Sequence, residues 1–108
     1  GGGLGSLTAV RGYLRISYTS LENINGLSNL EFIGGLIINS NDDLLNIDGL
    51  EGIVSIGGYV QISSNPLLAN LNGLANLETI GMYMLIVRND SLVNLSGLES
   101  ITDITEYL

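Results

Sequence analysis

A Gly-Leu pair recurs along this chain at a nearly constant interval, and this recurrence constrains the fold more than any other feature. Successive pairs lie 23, 23, 24 and 24 residues apart. They begin at Gly3, Gly26, Gly49, Gly73 and Gly97, the first being a diverged copy. A period in the twenties is typical of solenoids, in which each coil buries its apolar face only when the next coil stacks on it. The sequence therefore predicts a single repeat domain over residues 1–108.

The composition argues against several classes of function. Eleven acidic residues oppose three arginines, and the net charge of −8 repels nucleic acid and anionic lipid. Cysteine and histidine are absent, which removes disulfides, thiolate nucleophiles and zinc sites built from these residues. The longest apolar run, residues 82–87, is far shorter than the roughly 18 residues of a membrane span. We predict no enzyme activity, no nucleic-acid partner and no membrane insertion.

Apolar residues fall into three groups within each period. In the first group a Leu-x-Ile alternation places both side chains on one face of a strand. The first group comprises Leu14/Ile16, Leu36/Ile38, Val60/Ile62 and Met84/Ile86, the second Leu21/Ile24, Leu44/Ile47, Leu68/Leu71 and Leu92/Leu95, and the third Leu27/Leu30/Ile33, Leu50/Ile53/Ile56, Leu74/Leu77/Ile80 and Leu98/Ile101/Ile104. Because glycines at 34–35 and 57–58 interrupt any helix, we predict three short strands per coil and an all-β parallel β-helix of about 4.5 coils. A shallower leucine-rich-repeat arc is the alternative.

Asparagines form two columns in this register. One column is Asn23, Asn46, Asn70 and Asn94, and the other is Asn41, Asn65 and Asn89, with Tyr18 in the first coil's slot. Stacked amides can hydrogen-bond along a column and pair corner backbone groups that no strand covers. A short polar residue also precedes the glycine of each Gly-Leu pair from Gly26 onward, which predicts a tight turn with positive φ. We predict that both features serve the fold.

The run Ile33-x-x-Leu36-x-Ile38-x-x-Asn41 looks like the leucine-rich-repeat consensus. The whole coil more closely resembles the repeats of the receptor L domain family, over segments 26–48, 49–72 and 73–96. The resemblance implies a right-handed parallel solenoid and, in that family, binding of ligands or other proteins at the cell exterior. The chain lacks the cysteines that cap the receptor L domains of animal receptors, which points to a bacterial or environmental type.

A column of tyrosines is the most function-like feature. Tyr13, Tyr59, Tyr83 and Tyr107 occupy the outward position before the first strand of their coils, with a glycine slot near Gly35 between the first two. Such a column offers aromatic faces and hydroxyls to a glycan, a peptide or a neighbouring subunit. The alternative is that the rings stack on one another and shield the strand.

Acidic residues crowd one corner of the predicted coil. Asp42, Asp43 and Asp90 supply oxygen ligands of the kind that calcium takes, but Pro66 stands in the intervening coil and breaks the repetition. A glycan-cleaving enzyme would use Asp42 and Asp90 as acid and base, about 9.6 Å apart by strand spacing. We predict a solvated acidic face, with no metal and no cofactor.

The sequence thus predicts a non-enzymatic extracellular protein with a structural or adhesive role. Both ends of the sequence stop in mid-pattern, which predicts self-association through uncapped ends into filaments. The alternative is a ligand- or protein-recognition module of the receptor L type within a larger surface protein. Expected partners are copies of the chain, another extracellular protein or a glycan.

Overall fold

The computed structural model describes residues 8–93 and 96–104. In this part of the chain seven strands are β1 Ala9–Ser17, β2 Phe32–Asn39, β3 Ser55–Ile56, β4 Val60–Ser63, β5 Thr79–Ile80, β6 Met84–Val87 and β7 Asp103–Ile104. Short 3₁₀ helices span Asn25–Leu27, Asp48–Leu50 and Asn72–Leu74. Over these described ranges no helix has the length and apolarity to cross a membrane.

All strand pairings are parallel, and each joins residues one sequence period apart. Leu36 lies opposite Val60, and Val60 lies opposite Met84. Six strands follow one another in the order β6-β4-β2-β3-β5-β7 in a sheet that bends around the core and nearly closes on itself. β1 pairs with β2 outside this path. The period found in the sequence is therefore the distance along the chain between neighbouring strands.

The prediction of a right-handed parallel β-helix of about 4.5 coils is wrong. The structure has one continuous, nearly closed parallel sheet where the prediction required separate sheets on the faces of a multi-coil prism. The sheet is continuous because β2 stays extended through Gly34 and Gly35 and pairs with both β3 and β4. The same glycine pair one period later separates β3 from β4.

The prediction of three strands per period also fails. In the described residues the second apolar group lies in irregular backbone that belongs to no strand, although backbone bonds such as that from Leu45 N to the Glu22 carbonyl join successive repeats there. The third group begins with a 3₁₀ helix and ends in a strand, as in the segment from Asp48–Leu50 to Ser55–Ile56. Its three-residue spacing thus arises partly from helical turns, which also place i and i+3 side chains on one side of the backbone.

The core consists of the ladders that the three apolar groups predict. Side chains of the middle repeats are fully buried, among them Ile38, Leu44 and Leu74. Leu21 is the exception, because 49% of its surface is exposed. In the C-terminal part of the described chain, the side chains packed against this core are only partly buried; they are Met84, Ile86, Leu92, Leu98 and Ile101. Leu95 lies outside the described residues, as does the side chain of Ile104.

Gly49 and Gly73 at the corners are needed for space, whereas the sequence predicts a turn with positive φ there. Among described glycines, Gly97 alone has a positive φ, of 110°. A Cβ on Gly49 would lie 2.0 Å from the Ile24 carbonyl oxygen, and one on Gly73 would lie 1.8 Å from that of Ile47. The backbones of successive repeats approach so closely here that only glycine fits.

Candidate functional site: the outer sheet face

The described tyrosines of the predicted column form a continuous ring stack. The ring centroids of Tyr13 and Tyr59 are 4.8 Å apart with the planes tilted by 52°, and those of Tyr59 and Tyr83 are 4.9 Å apart and nearly parallel, at 4°. Main-chain bonds fix this spacing, because the Tyr83 carbonyl accepts from the Val60 amide at 2.8 Å. Tyr107 lies outside the described residues. Both faces of the Tyr59 ring are therefore occupied by neighbouring tyrosines.

Gly35 allows the stack to cross the repeat that lacks a tyrosine. A Cβ at Gly35 would lie 2.1 to 2.5 Å from three ring carbons of Tyr13, so this ring lies flat on the glycine backbone. The Tyr13 hydroxyl reaches onward to Gly58, where a Cβ would be 2.5 Å from it. The tyrosine of the first repeat thereby contacts that of the third.

The stack is one column of a larger surface formed by the outward side chains of the four longer strands and the residues just before them. This surface, called here the outer sheet face, comprises Tyr13, Arg15, Ser17, Gly35, Ile37, Asn39, Tyr59, Gln61, Ser63, Tyr83, Leu85 and Val87. None of these residues is acidic, and Arg15 is their one charge. A net charge of −8 with +1 on this face leaves −9 on the rest of the chain.

Polar groups of the outer sheet face hydrogen-bond to one another. Arg15 Nε donates to Ser17 Oγ at 3.1 Å, and Ser17 Oγ donates to Asn39 Oδ1. In the next strand Gln61 Nε2 donates to Ser63 Oγ at 3.4 Å. Large apolar side chains lie beside these groups, with Leu85 38% and Val87 39% exposed. The face thus combines exposed apolar side chains with polar groups that are paired to one another, and both features lower the free-energy cost of covering it with a partner.

Beneath the strand ends, Asn41, Asn65 and Asn89 form a hydrogen-bonded ladder inside the protein. Asn41 donates from its backbone N and from Nδ2 to Asn65 Oδ1 at 3.2 and 3.0 Å, and Asn65 donates likewise to Asn89 Oδ1 at 3.1 and 2.9 Å. Each Nδ2 also donates to a strand carbonyl, as from Asn65 to Ile38 at 3.0 Å. Among described residues no buried side-chain polar atom is left unpaired.

The first slot of this ladder is filled by Thr19, where the sequence had assigned Tyr18. Thr19 donates from its backbone N and from Oγ1 to Asn41 Oδ1, at 3.2 and 2.8 Å. Tyr18 instead has φ of 57°, and Ser40, Ser64 and Arg88 have nearly the same value in their repeats. The residue just before each ladder position therefore turns the chain in the left-handed region.

The second asparagine column makes local bonds. Asn23, Asn46 and Asn70 each accept from the backbone N–H two residues ahead, at 3.1, 3.1 and 3.0 Å. Each of these Asx turns holds the first residue of the 3₁₀ helix that follows it. Asn94 lies outside the described residues. At the last corner the Gly97 N–H donates to Glu99 Oε1 at 2.7 Å, and this bond lowers the pKa of the Glu99 carboxyl.

The acidic corner forms a shallow depression at the turns that follow β2, β4 and β6. Asp42 and Asp90 line it with Ser64, Pro66 and Arg88, so an arginine lies near these carboxylates. The described residues contain no group of three or more acidic side chains placed to hold a metal ion. The corner offers no enclosed site for a substrate or a cation.

No family model, no curated protein and no solved structure matches the chain. The resemblance to receptor L repeats therefore stays a prediction from sequence, and the site is defined by its geometry.

Proposed function

We propose that this chain is a non-enzymatic structural or adhesive protein of the cell exterior, which associates with copies of itself through the outer sheet face. The absence of acidic side chains from this face carries the proposal. Two copies with −9 on their other surfaces repel each other in most orientations, and repulsion is least when these faces meet. Exposed aromatic and aliphatic side chains, such as Tyr13 and Leu85, then leave water together.

The size of the face favours weak, reversible contact. Four strands about 4.8 Å apart and five residues long cover roughly 300 Å². A standard interface buries about 800 Å² on each partner, so a single contact should have a Kd in the high micromolar to millimolar range. Many copies on one surface would compensate through multivalency, which suits adhesion. Filaments built through the ends of the chain stay a prediction.

A leucine pair offers a matched test of this proposal. Leu85→Asp places a carboxylate on the outer sheet face, whereas Leu45→Asp does so elsewhere at similar exposure, 38% against 47%. We expect Leu85→Asp to weaken self-association at least tenfold, because the contact would then have to remove a carboxylate from water in place of an apolar side chain. Sedimentation equilibrium up to millimolar concentration measures the effect, with circular dichroism as the check on folding.

Two outcomes would contradict the proposal. One is a wild-type chain that stays monomeric at the highest concentration and does not adhere when immobilised on beads. The other is equal weakening by both aspartate variants, which would locate the contact outside the outer sheet face or attribute it to net charge alone.

The continuous tyrosine stack favours a second candidate, the recognition module of a larger surface protein. The ligand would then contact the hydroxyls and ring edges, because both faces of Tyr59 are already covered. This geometry disfavours a glycan that stacks flat on the ring and favours a protein partner.

Removing two rings of the stack tests both candidates. Tyr59→Ala combined with Tyr83→Ala should leave the fold intact, since these residues precede their strands on the outside. Loss of the stack should cost about 1 kcal/mol of stability and weaken association or partner binding at least tenfold. Tyr18→Ala, at a position 77% exposed outside the stack, is the control. Unchanged association in the double variant would remove the tyrosines from the contact.

A further inference from the structure

The stacked tyrosines have a chemical consequence that does not depend on what the outer sheet face binds. One-electron oxidation of a protein is directed to tryptophan, cysteine and tyrosine, and this chain has neither of the first two. Tyrosine is therefore the side chain at which a radical settles. Tyr13, with 44% of its surface exposed, provides an entry point at one end of the stack. A radical formed there lies against the Tyr59 ring, which in turn lies against Tyr83.

Tyr59 and Tyr83 are the pair best placed to react with each other. Their rings are parallel within 4° and come from positions one period apart next to parallel strands, so equivalent ring carbons are separated by about the centroid distance of 4.9 Å. The planes of Tyr13 and Tyr59 are tilted by 52°, which misaligns the corresponding carbons of that pair. Holding two reacting groups side by side gives them an effective concentration far above that of separate molecules.

We propose that Tyr59 and Tyr83 are a site of oxidative cross-linking, at which hydrogen peroxide and a haem peroxidase convert the pair to dityrosine. Each phenol loses one electron and its hydroxyl proton to give a phenoxyl radical. The two radicals join through the ring carbons ortho to oxygen, and the hydrogens on those carbons move to the two oxygens. The pair loses two hydrogen atoms in total, and one hydrogen peroxide takes them up to leave as two water molecules.

The product would bind neighbouring repeats covalently in a chain that contains no cysteine for a disulfide. The link would close a loop between residues 59 and 83, and closure of such a loop restricts the unfolded chain. By analogy with a disulfide over the same span, the cross-linked protein should melt on the order of 10 °C higher than the untreated one.

Mass spectrometry after peroxidase treatment tests the proposal on the whole chain at low micromolar concentration. We expect a monomer lighter by two hydrogen atoms, with the blue fluorescence of dityrosine. A glutamate-specific protease separates residues 52–78 from residues 79–99, so the product should appear as these two peptides joined. The yield should not change on tenfold dilution, since the reaction lies within one molecule.

Conservative variants make the assignment specific. Tyr59→Phe and Tyr83→Phe retain a stacked ring but should each abolish the joined peptides, whereas Tyr18→Phe should leave them unchanged. Oxidation of Met82 or Met84 adds oxygen, and this mass gain distinguishes it from cross-linking. Dimers joined through the exposed Tyr18 in place of the joined peptides, or no loss of hydrogen while free tyrosine in the same mixture couples, would overturn the proposal. Neither result bears on self-association, which is measured without oxidant.

Discussion

Replacing Asn65 by leucine is expected to lower the free energy of unfolding by about 4 kcal/mol, from the loss of several buried hydrogen bonds. The Asn65 side chain is fully buried, and its Oδ1 accepts from both the backbone N and Nδ2 of Asn41. Leucine has similar volume but no acceptor, so the Asn41 backbone N–H loses its partner without gaining access to water, and Asn41 Nδ2 keeps only its bond to the Ile16 carbonyl. The Ile38 carbonyl loses a donor as well. Urea denaturation followed by circular dichroism measures the change.

Asn70→Ala is the matched control for this loss. Asn70 is partly exposed and accepts one local bond, from the Asn72 N–H at 3.0 Å. Its removal should cost about 1 kcal/mol, because water replaces the lost partner. Similar destabilisation by Asn65→Leu and Asn70→Ala would mean that the buried ladder contributes no more than a surface turn.

Gly73→Ala is expected to destabilise the protein by about 3 kcal/mol through steric overlap between repeats. The added Cβ would lie 1.8 Å from the Ile47 carbonyl oxygen and 2.4 Å from its carbon. Both atoms belong to backbone, so relief requires the two repeats to move apart and opens the core beside Leu74, which is fully buried. Thermal unfolding should show a Tm lower by roughly 10 °C or more.

Gly26→Ala provides the control at the equivalent corner of an earlier repeat. A Cβ there would meet no atom within 4 Å, although Gly26 occupies the same place in its 3₁₀ helix as Gly73 does. We expect this substitution to be neutral or to stabilise slightly, since alanine restricts the unfolded chain. If both alanine variants lowered Tm equally, the glycines would be required for backbone conformation, and close approach would not explain them.

The sequence was informative about which residues meet, because a fixed period brings equivalent residues together whatever the path between them. The buried ladders of Ile38, Ile62 and Leu74 follow from this alignment. So does the proximity of Asn41, Asn65 and Asn89, whose register equals that of the strands. These properties depend on the repeat length and on burial of apolar side chains, both of which can be read along the chain.

The sheet could not be predicted because its continuity depends on context. The Gly-Gly pair is identical at 34–35 and 57–58, yet only the first lies within a strand. β2 pairs with the nine-residue β1 on both sides of that glycine pair, whereas β3 and β4, on the side away from β2, pair only with the short strands β5 and β6. Local sequence therefore cannot distinguish a single curved sheet from separate faces.

The site was only partly predictable for a similar reason. The tyrosine column is evident in the sequence, but the contact of Tyr13 with Tyr59 depends on one ring lying across Gly35. The left-handed turn at Tyr18, Ser40, Ser64 and Arg88 has no common chemistry to reveal it. The outer sheet face emerges only when columns from four strands are placed side by side, which requires the register.

Methyl chemical shifts followed over a concentration series test the proposed contact most directly. The chain has a mass of 11.4 kDa, which suits solution NMR. If copies associate through the outer sheet face, the methyl signals of Ile37, Leu85 and Val87 should move with concentration. Those of Leu45 and Leu67, which are 47% and 45% exposed elsewhere, should stay in place. Signals that move only outside the face, or none that move up to millimolar concentration, would contradict the proposed function.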